Sequence, residues 1–189
     1  MAGYETIRTI TVDNHNTTSV TFSSIPQTYL HLEVSFYGCT TEQSYADTLW
    51  MKMNGVTGNH WWNIGYGAET SKASSAATGQ DGAACKIDGI GVTSAADFGA
   101  TQAMCIYDYT DANKNHGCMG VATREWVASG KTRAQVSPFS PFFGGGPYLY
   151  FLAGGYDSGV AITSLKLQVN GSDYYQKGAR FTLRGFTSS

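Results

Sequence analysis

Apolar and polar residues alternate with a period of two along several stretches of this chain. Across Leu30, Leu32, Val34 and Phe36 the apolar side chains share one face, while His31, Glu33 and Ser35 take the other. That pattern predicts a half-buried antiparallel strand. Leu49, Met51 and Met53 repeat it with Trp50 and Lys52 opposite. Leu165, Leu167 and Val169 alternate with Lys166 and Gln168, and Phe181 and Leu183 with Thr182 and Arg184. Shorter β-like runs cover 7–12, 19–22, 100–109, 117–123 and 148–152. Turn signals lie between them, among them Asn54-Gly55, Thr57-Gly58-Asn59, Asp111 to Asn115 and Asn170-Gly171. Asn170-Gly171, set between two alternating runs, predicts a hairpin.

The pattern yields about nine or ten short strands and no helix of ten residues or more. The best helical candidate, 121–136, is interrupted by Gly130 and β-branched residues. Short strands with Gly- and Asn-rich turns predict an all-β antiparallel sandwich or barrel. Two stretches without alternation, 65–84 and 130–147, read as long loops.

Composition narrows the class. The chain has 189 residues, of which 14% are charged and 13% aromatic, with a net charge of −2. Charged residues average about 25% in soluble domains. Many aromatics and few charges argue against disorder. Lys and Arg are scattered, so no basic field exists to hold a nucleic-acid backbone. The length suits one domain or at most two small ones, and the expectation is a single domain over residues 1–189. Residues 1–12 carry no long apolar run and no cleavage site, so no secretory signal is expected. The uncharged stretch 134–156 holds three prolines and many glycines, which rules it out as a membrane helix. Cys39, Cys85, Cys105 and Cys118 include no CxxC pair and read as buried thiols.

Catalytic chemistry finds little support. His15, His31, His60 and His116 are far apart, and His31 falls on the polar face of a strand. Cys118 lies two residues after His116, which on its own is only a weak hint of a zinc site. Ser129-Gly130-Lys131-Thr132 resembles the end of a phosphate loop, yet Glu125 stands where its first glycine belongs. Asp108 with Asp111, or Asp81 with Asp88, are the conceivable carboxylate pairs for glycoside hydrolysis. Asp108, Asp111 and Asn113 fit an Asx-turn better than a calcium loop. The expectation is a protein with no catalytic residues, no metal and no cofactor.

Binding is better supported. Trp50, His60-Trp61-Trp62 and Tyr66 concentrate aromatic rings in one region. In an extended stretch Trp61 and Trp62 point to opposite faces, so one of them is outward. Its alternatives are a subunit interface, a place in the core through a bulge, or a platform for a sugar ring. Phe139, Phe142 and Phe143 in a Pro/Gly-rich loop, and Tyr174 and Tyr175 in the last turn, are further candidate contacts. Apolar groups at loop tips suit a protein that works within an assembly.

Three pieces resemble small β-sandwich structural proteins of tailed-phage virions. They are Ser19–Phe22 leading into Ser24-Ile25-Pro26-Gln27-Thr28-Tyr29-Leu30-His31-Leu32; Met53-Asn54-Gly55 with Thr57-Gly58-Asn59 and Trp61 or Trp62; and Ala161–Leu165 with Gly178–Phe186. The resemblance covers about half the chain. It implies a jelly-roll-like sandwich, a homotrimer, and a place on the capsid surface as a decoration or cement protein bound to the major capsid protein. It also implies that the last piece is a closing hairpin. Under that reading Trp61, Trp62, Phe139, Phe142, Phe143, Tyr174 and Tyr175 are the contact residues, without nucleic acid or membrane partners. The alternative is a fibre-tip domain that stacks a host glycan on Trp50, Trp61 or Trp62. A chain that begins its first strand almost at once, with no heptads or stalk, favours the capsid surface over a long fibre.

Overall fold

The computed structural model describes residues 3–41, 47–68, 71–78, 85–92, 100–124, 148–169, 171 and 173–187. Twelve strands are found among them: β1 (Tyr4–Thr11), β2 (Ser19–Phe22), β3 (His31–Thr40), β4 (Asp47–Met53), β5 (His60–Ala68), β6 (Ser71–Thr78), β7 (Cys85–Val92), β8 (Ala100–Ile106), β9 (His116–Arg124), β10 (Tyr148–Tyr156), β11 (Leu165–Val169) and β12 (Arg180–Phe186). They form an all-β antiparallel sandwich. The larger sheet runs β1-β12-β3-β8-β9-β10-β5-β6, and the smaller runs β2-β11-β4-β7. A short parallel contact between β3 and β7, at Cys39↔Gly91 and Thr40↔Val92, joins the two along one side.

The alternating runs explain the core. Leu32, Val34 and Phe36 of β3 and Phe181 and Leu183 of β12 face Leu49, Met51 and Met53 of β4 and Leu165, Leu167 and Val169 of β11, all buried in one cluster. Each strand removes every second side chain from water, so two such sheets stacked face to face bury both inner faces at once. Near its centre Phe181 lies 4.8 Å from both Phe36 and Tyr175, ring centroid to centroid.

The Asn54-Gly55 turn forms as expected, with φ of 54° and 65° and a Val56 N–H to Met53 carbonyl bond of 3.3 Å. Two successive positive φ angles are what Asn-Gly supplies without steric cost. Asn54 also clamps the chain that leads into β11. Its amide nitrogen donates to the Ala161 carbonyl at 2.9 Å, and its oxygen accepts from the Thr163 N–H at 2.8 Å.

Three expectations are corrected. The Asn170-Gly171 signal does not make a hairpin: β11 pairs with β2 and β4, and β12 with β1 and β3, so the chain crosses between sheets there. Alternation gives each strand a face but not a sheet. The stretch 65–84 is no loop over its first part, because 71–78 is β6, paired residue for residue with β5. Its Ser and Ala residues carry no hydrophobic period, so the backbone pairing alone defines it. The front of the helical candidate 121–136 belongs to β9, and the rest of it lies outside the described residues.

Candidate functional site

The outer face of the larger sheet is where the structure departs most from a two-layer pattern. In β9, His116, Cys118 and Ala122 point inward and are buried, while Met119 and Val121 point outward and are 59% and 46% exposed. In β10, Leu152 and Tyr156 are buried and Phe151 is 59% exposed. The pairing places these outward residues in rows across the sheet. One row reads Glu33, Cys105, Met119, Ala153 and Asn63; the next reads Ser35, Ala103, Val121, Phe151 and Gly65. Ala103, Cys105, Met119, Val121, Phe151 and Ala153 thus line an apolar groove of about 680 Å³ on the sheet surface.

A polar margin bounds the groove on the β3–β12 side. The Arg184 guanidinium donates to Glu33 at 2.9 Å and to the Ser35 hydroxyl at 3.0 Å, and the Tyr4 hydroxyl donates to the same Glu33 oxygen at 2.6 Å. Arg184 also lies 5.4 Å from the centre of the Tyr4 ring. The margin therefore neutralises itself and presents no net charge to a visitor. Burial first, and Glu33 second, push the Cys105 thiol pKa up, so the groove holds a neutral thiol of low nucleophilicity.

Trp61 stands on β5 two residues before Asn63, which lines the groove. It is 39% exposed and lies over Gly155, where a Cβ would come within 2.6 Å of the indole. Of the two neighbouring tryptophans this is the outward one. Trp62 points inward, half-buried against the core, and is corrected as a surface contact. Tyr175 is corrected too: it is fully buried, packed on Phe36 and Phe181. Tyr174 is 36% exposed, beside Thr41, whose hydroxyl accepts its N–H at 2.9 Å. Trp50 is half-buried on the smaller sheet. Phe139, Phe142 and Phe143 lie outside the described residues, as do Ser129 to Thr132 and Asp81.

The acidic candidates form a surface turn. The Asn113 N–H donates to Asp111 at 2.9 Å, which is an Asx-turn, and Lys114 sits 3.2 Å from Asp111 and 3.5 Å from Asp108. The Asn113 N–H, and then Lys114, hold the Asp111 carboxyl below its ordinary range. His31 joins this turn by accepting the Asp108 N–H at 3.1 Å. Among the described residues no group of three or more His, Cys, Asp or Glu could hold a metal ion. Cys39, Cys105 and Cys118 are thiols. No helix among the described residues is long and apolar enough to cross a membrane.

Sequence reasoning placed the contact surface on loops and missed the sheet face. The signal was present in 117–123 and 148–152, where apolar side chains occupy both parities of the strand. In a two-layer sandwich only one parity has a core to enter. The fold and the face together define a class: antiparallel β-sandwiches with an apolar outer sheet surface. Compared with known proteins, the chain matches no family model, no curated protein and no solved structure.

Proposed function

We propose that this protein is a virion structural protein, a capsid decoration or cement protein that docks on neighbouring chains through the outer face of its larger sheet. The observation that carries the reading is the groove over Met119, Val121 and Phe151. Large side chains exposed together on a rigid sheet mark a contact surface, because water hydrates them at a cost that a partner removes. Strand order supports the finer fold reading. With the β5–β6 and β9–β10 pairs set aside, the eight remaining strands run β1-β12-β3-β8 over β2-β11-β4-β7, the order of an eight-stranded jelly roll. In this reading the chain works by binding alone, as a homotrimer on the major capsid protein at the capsid surface. A protein that binds only the assembled shell stabilises it by mass action.

The test is co-sedimentation of purified protein with undecorated phage heads. The double variant Met119→Ser with Phe151→Ser is expected to lose head binding by more than about tenfold, since each outward residue contributes about 1 kcal/mol or more when buried in an interface. Its fold stability is expected to change by no more than about 1 kcal/mol, because neither side chain enters the core. Undiminished occupancy in that variant would overturn the contact surface. Absence of head binding by the unaltered protein would overturn the capsid assignment.

One observation favours a second reading, a fibre-tip domain that binds host glycan. Trp61 is exposed on β5, next in its strand to Trp62 and two residues from the outward Asn63. An aromatic ring beside an amide is a pairing that suits a sugar. A glycan array with the unaltered protein and with Trp61→Ala separates the two readings.

A further inference from the structure

Three inward-facing rings form one cross-strand row at the end of the larger sheet. His116 of β9 and His60 of β5 are both paired with Tyr156 of β10, and each of the three is 1% exposed. His60 and Tyr156 stack with centroids 4.8 Å apart. Hydrogen bonds identify a donor nitrogen in each imidazole. His60 accepts the Met53 N–H at Nε2, 3.1 Å, so its proton sits on Nδ1 and is donated to the Gly58 carbonyl at 2.7 Å. His116 donates from Nε2 to the Val160 carbonyl at 2.9 Å, and its buried Nδ1 has no hydrogen-bond partner among the described residues.

The two rings hold two different segments. His60 ties the turn 54–59 to the end of β4, and His116 ties the connection 157–164 to the start of β9. Those segments are in turn fastened to each other: Asn54 binds Ala161 and Thr163, and the Asp157 N–H donates to the Asn59 carbonyl at 2.6 Å. We propose that His60 forms an acid-sensitive latch, which keeps this end of the sandwich closed while its ring is neutral and releases it when the ring takes up a second proton. On His60 that proton would set an N–H against the Met53 N–H, donor against donor.

The surroundings offer such a charge little relief. The titratable and charged groups on the elements around the rings are Lys52 of β4, Cys118 of β9 and Tyr156 of β10, with Asp157 just after it. The turn before β9 adds Asp108, Tyr109, Asp111 and Lys114. Asp108 and Asp111 are already engaged with Lys114, and the Tyr109 hydroxyl donates to the Pro26 carbonyl. Burial holds the His60 pKa below the ordinary imidazole range, against an upward pull from the Gly58 bond, and the like charge of Lys52 adds a smaller push down. A pKa depressed in the folded state means that the unfolded or opened chain binds the proton better. The contribution of His60 is therefore complete above about pH 6.5 and is lost progressively as the pH falls below it.

Amide hydrogen exchange on the full chain, followed by NMR from about pH 7.5 to pH 4.5, tests this. Protection factors at Met53, Asp157 and Thr163 are expected to fall by up to about tenfold per pH unit below about pH 6.5, while those at Leu167 and Phe181 hold. Retention of protection at the three amides, or its loss only together with that of the core, would overturn the latch. In His60→Gln, whose amide can still accept the Met53 N–H but takes up no proton in this range, the pH dependence at Met53 and Asp157 is expected to disappear. An unchanged slope in that variant would remove His60 from the device and overturn the latch.

Discussion

Phe181→Ala is expected to lower the stability of the folded chain by about 3–5 kcal/mol, the cost of emptying a large buried site that its neighbours cannot close. Phe181 is fully buried, and the rings of Phe36 and Tyr175 lean on it from two sides. The loss is a large part of the roughly 5–15 kcal/mol that holds a domain together. Thermal unfolding followed by circular dichroism should show a midpoint lower by roughly 10 °C in a chain of this size. Phe151→Ala is the matched comparison, with the same residue type at an outward position that is 59% exposed. It is expected to cost no more than about 1 kcal/mol. Equal losses in the two variants would mean that the assignment of inner and outer faces is wrong.

Gly155→Ala is expected to unseat Trp61 and to cost about 1–3 kcal/mol, as overpacking does. A Cβ at this position would lie 2.5 Å from Trp61 Nε1 and 2.8 Å from the His116 carbonyl oxygen. The indole can swing away, but the carbonyl belongs to the paired strand and cannot. Tryptophan emission should shift to the red as the ring moves into water, and the same substitution made on a Trp61→Phe background should leave the spectrum unchanged. An emission spectrum identical to that of the unaltered protein would show that the ring does not rest on Gly155. This prediction bears on the proposed glycan reading as well, because that reading needs the Trp61 ring held where it is exposed.

Several features were legible because they are local. The parity of Leu32, Val34 and Phe36 announces which side chains meet the core, since a strand has only two faces. Asn54-Gly55 announces its turn because few residue pairs accept two positive φ angles in succession. The Asx-turn at Asp111 follows from a side chain reaching its own backbone two residues on. The stretch 71–78 was illegible for the converse reason: Ser and Ala give no alternation, and β6 exists because β5 offers it a ladder of hydrogen bonds. Tyr174 and Tyr175 show the limit most plainly. They are identical in type and adjacent, yet one lies against Phe181 in the core and the other is partly exposed near Thr41. Nothing in their immediate sequence separates them, because the difference comes also from β3, distant along the chain, whose Phe36 packs on Tyr175.

Acting alone, the order of residues fixed the all-β class, most strands, the inward parity of the alternating ones and the sites of tight turns. All of these depend on interactions across a few neighbouring residues. Sheet membership, the crossing between β11 and β12, the burial of Tyr175 and the gathering of Met119, Val121 and Phe151 into one groove were decided by tertiary structure. Each depends on which strand lies beside which, and that choice is made by the joint burial of both sheets' inner faces, a property of the whole chain that no short stretch of it carries.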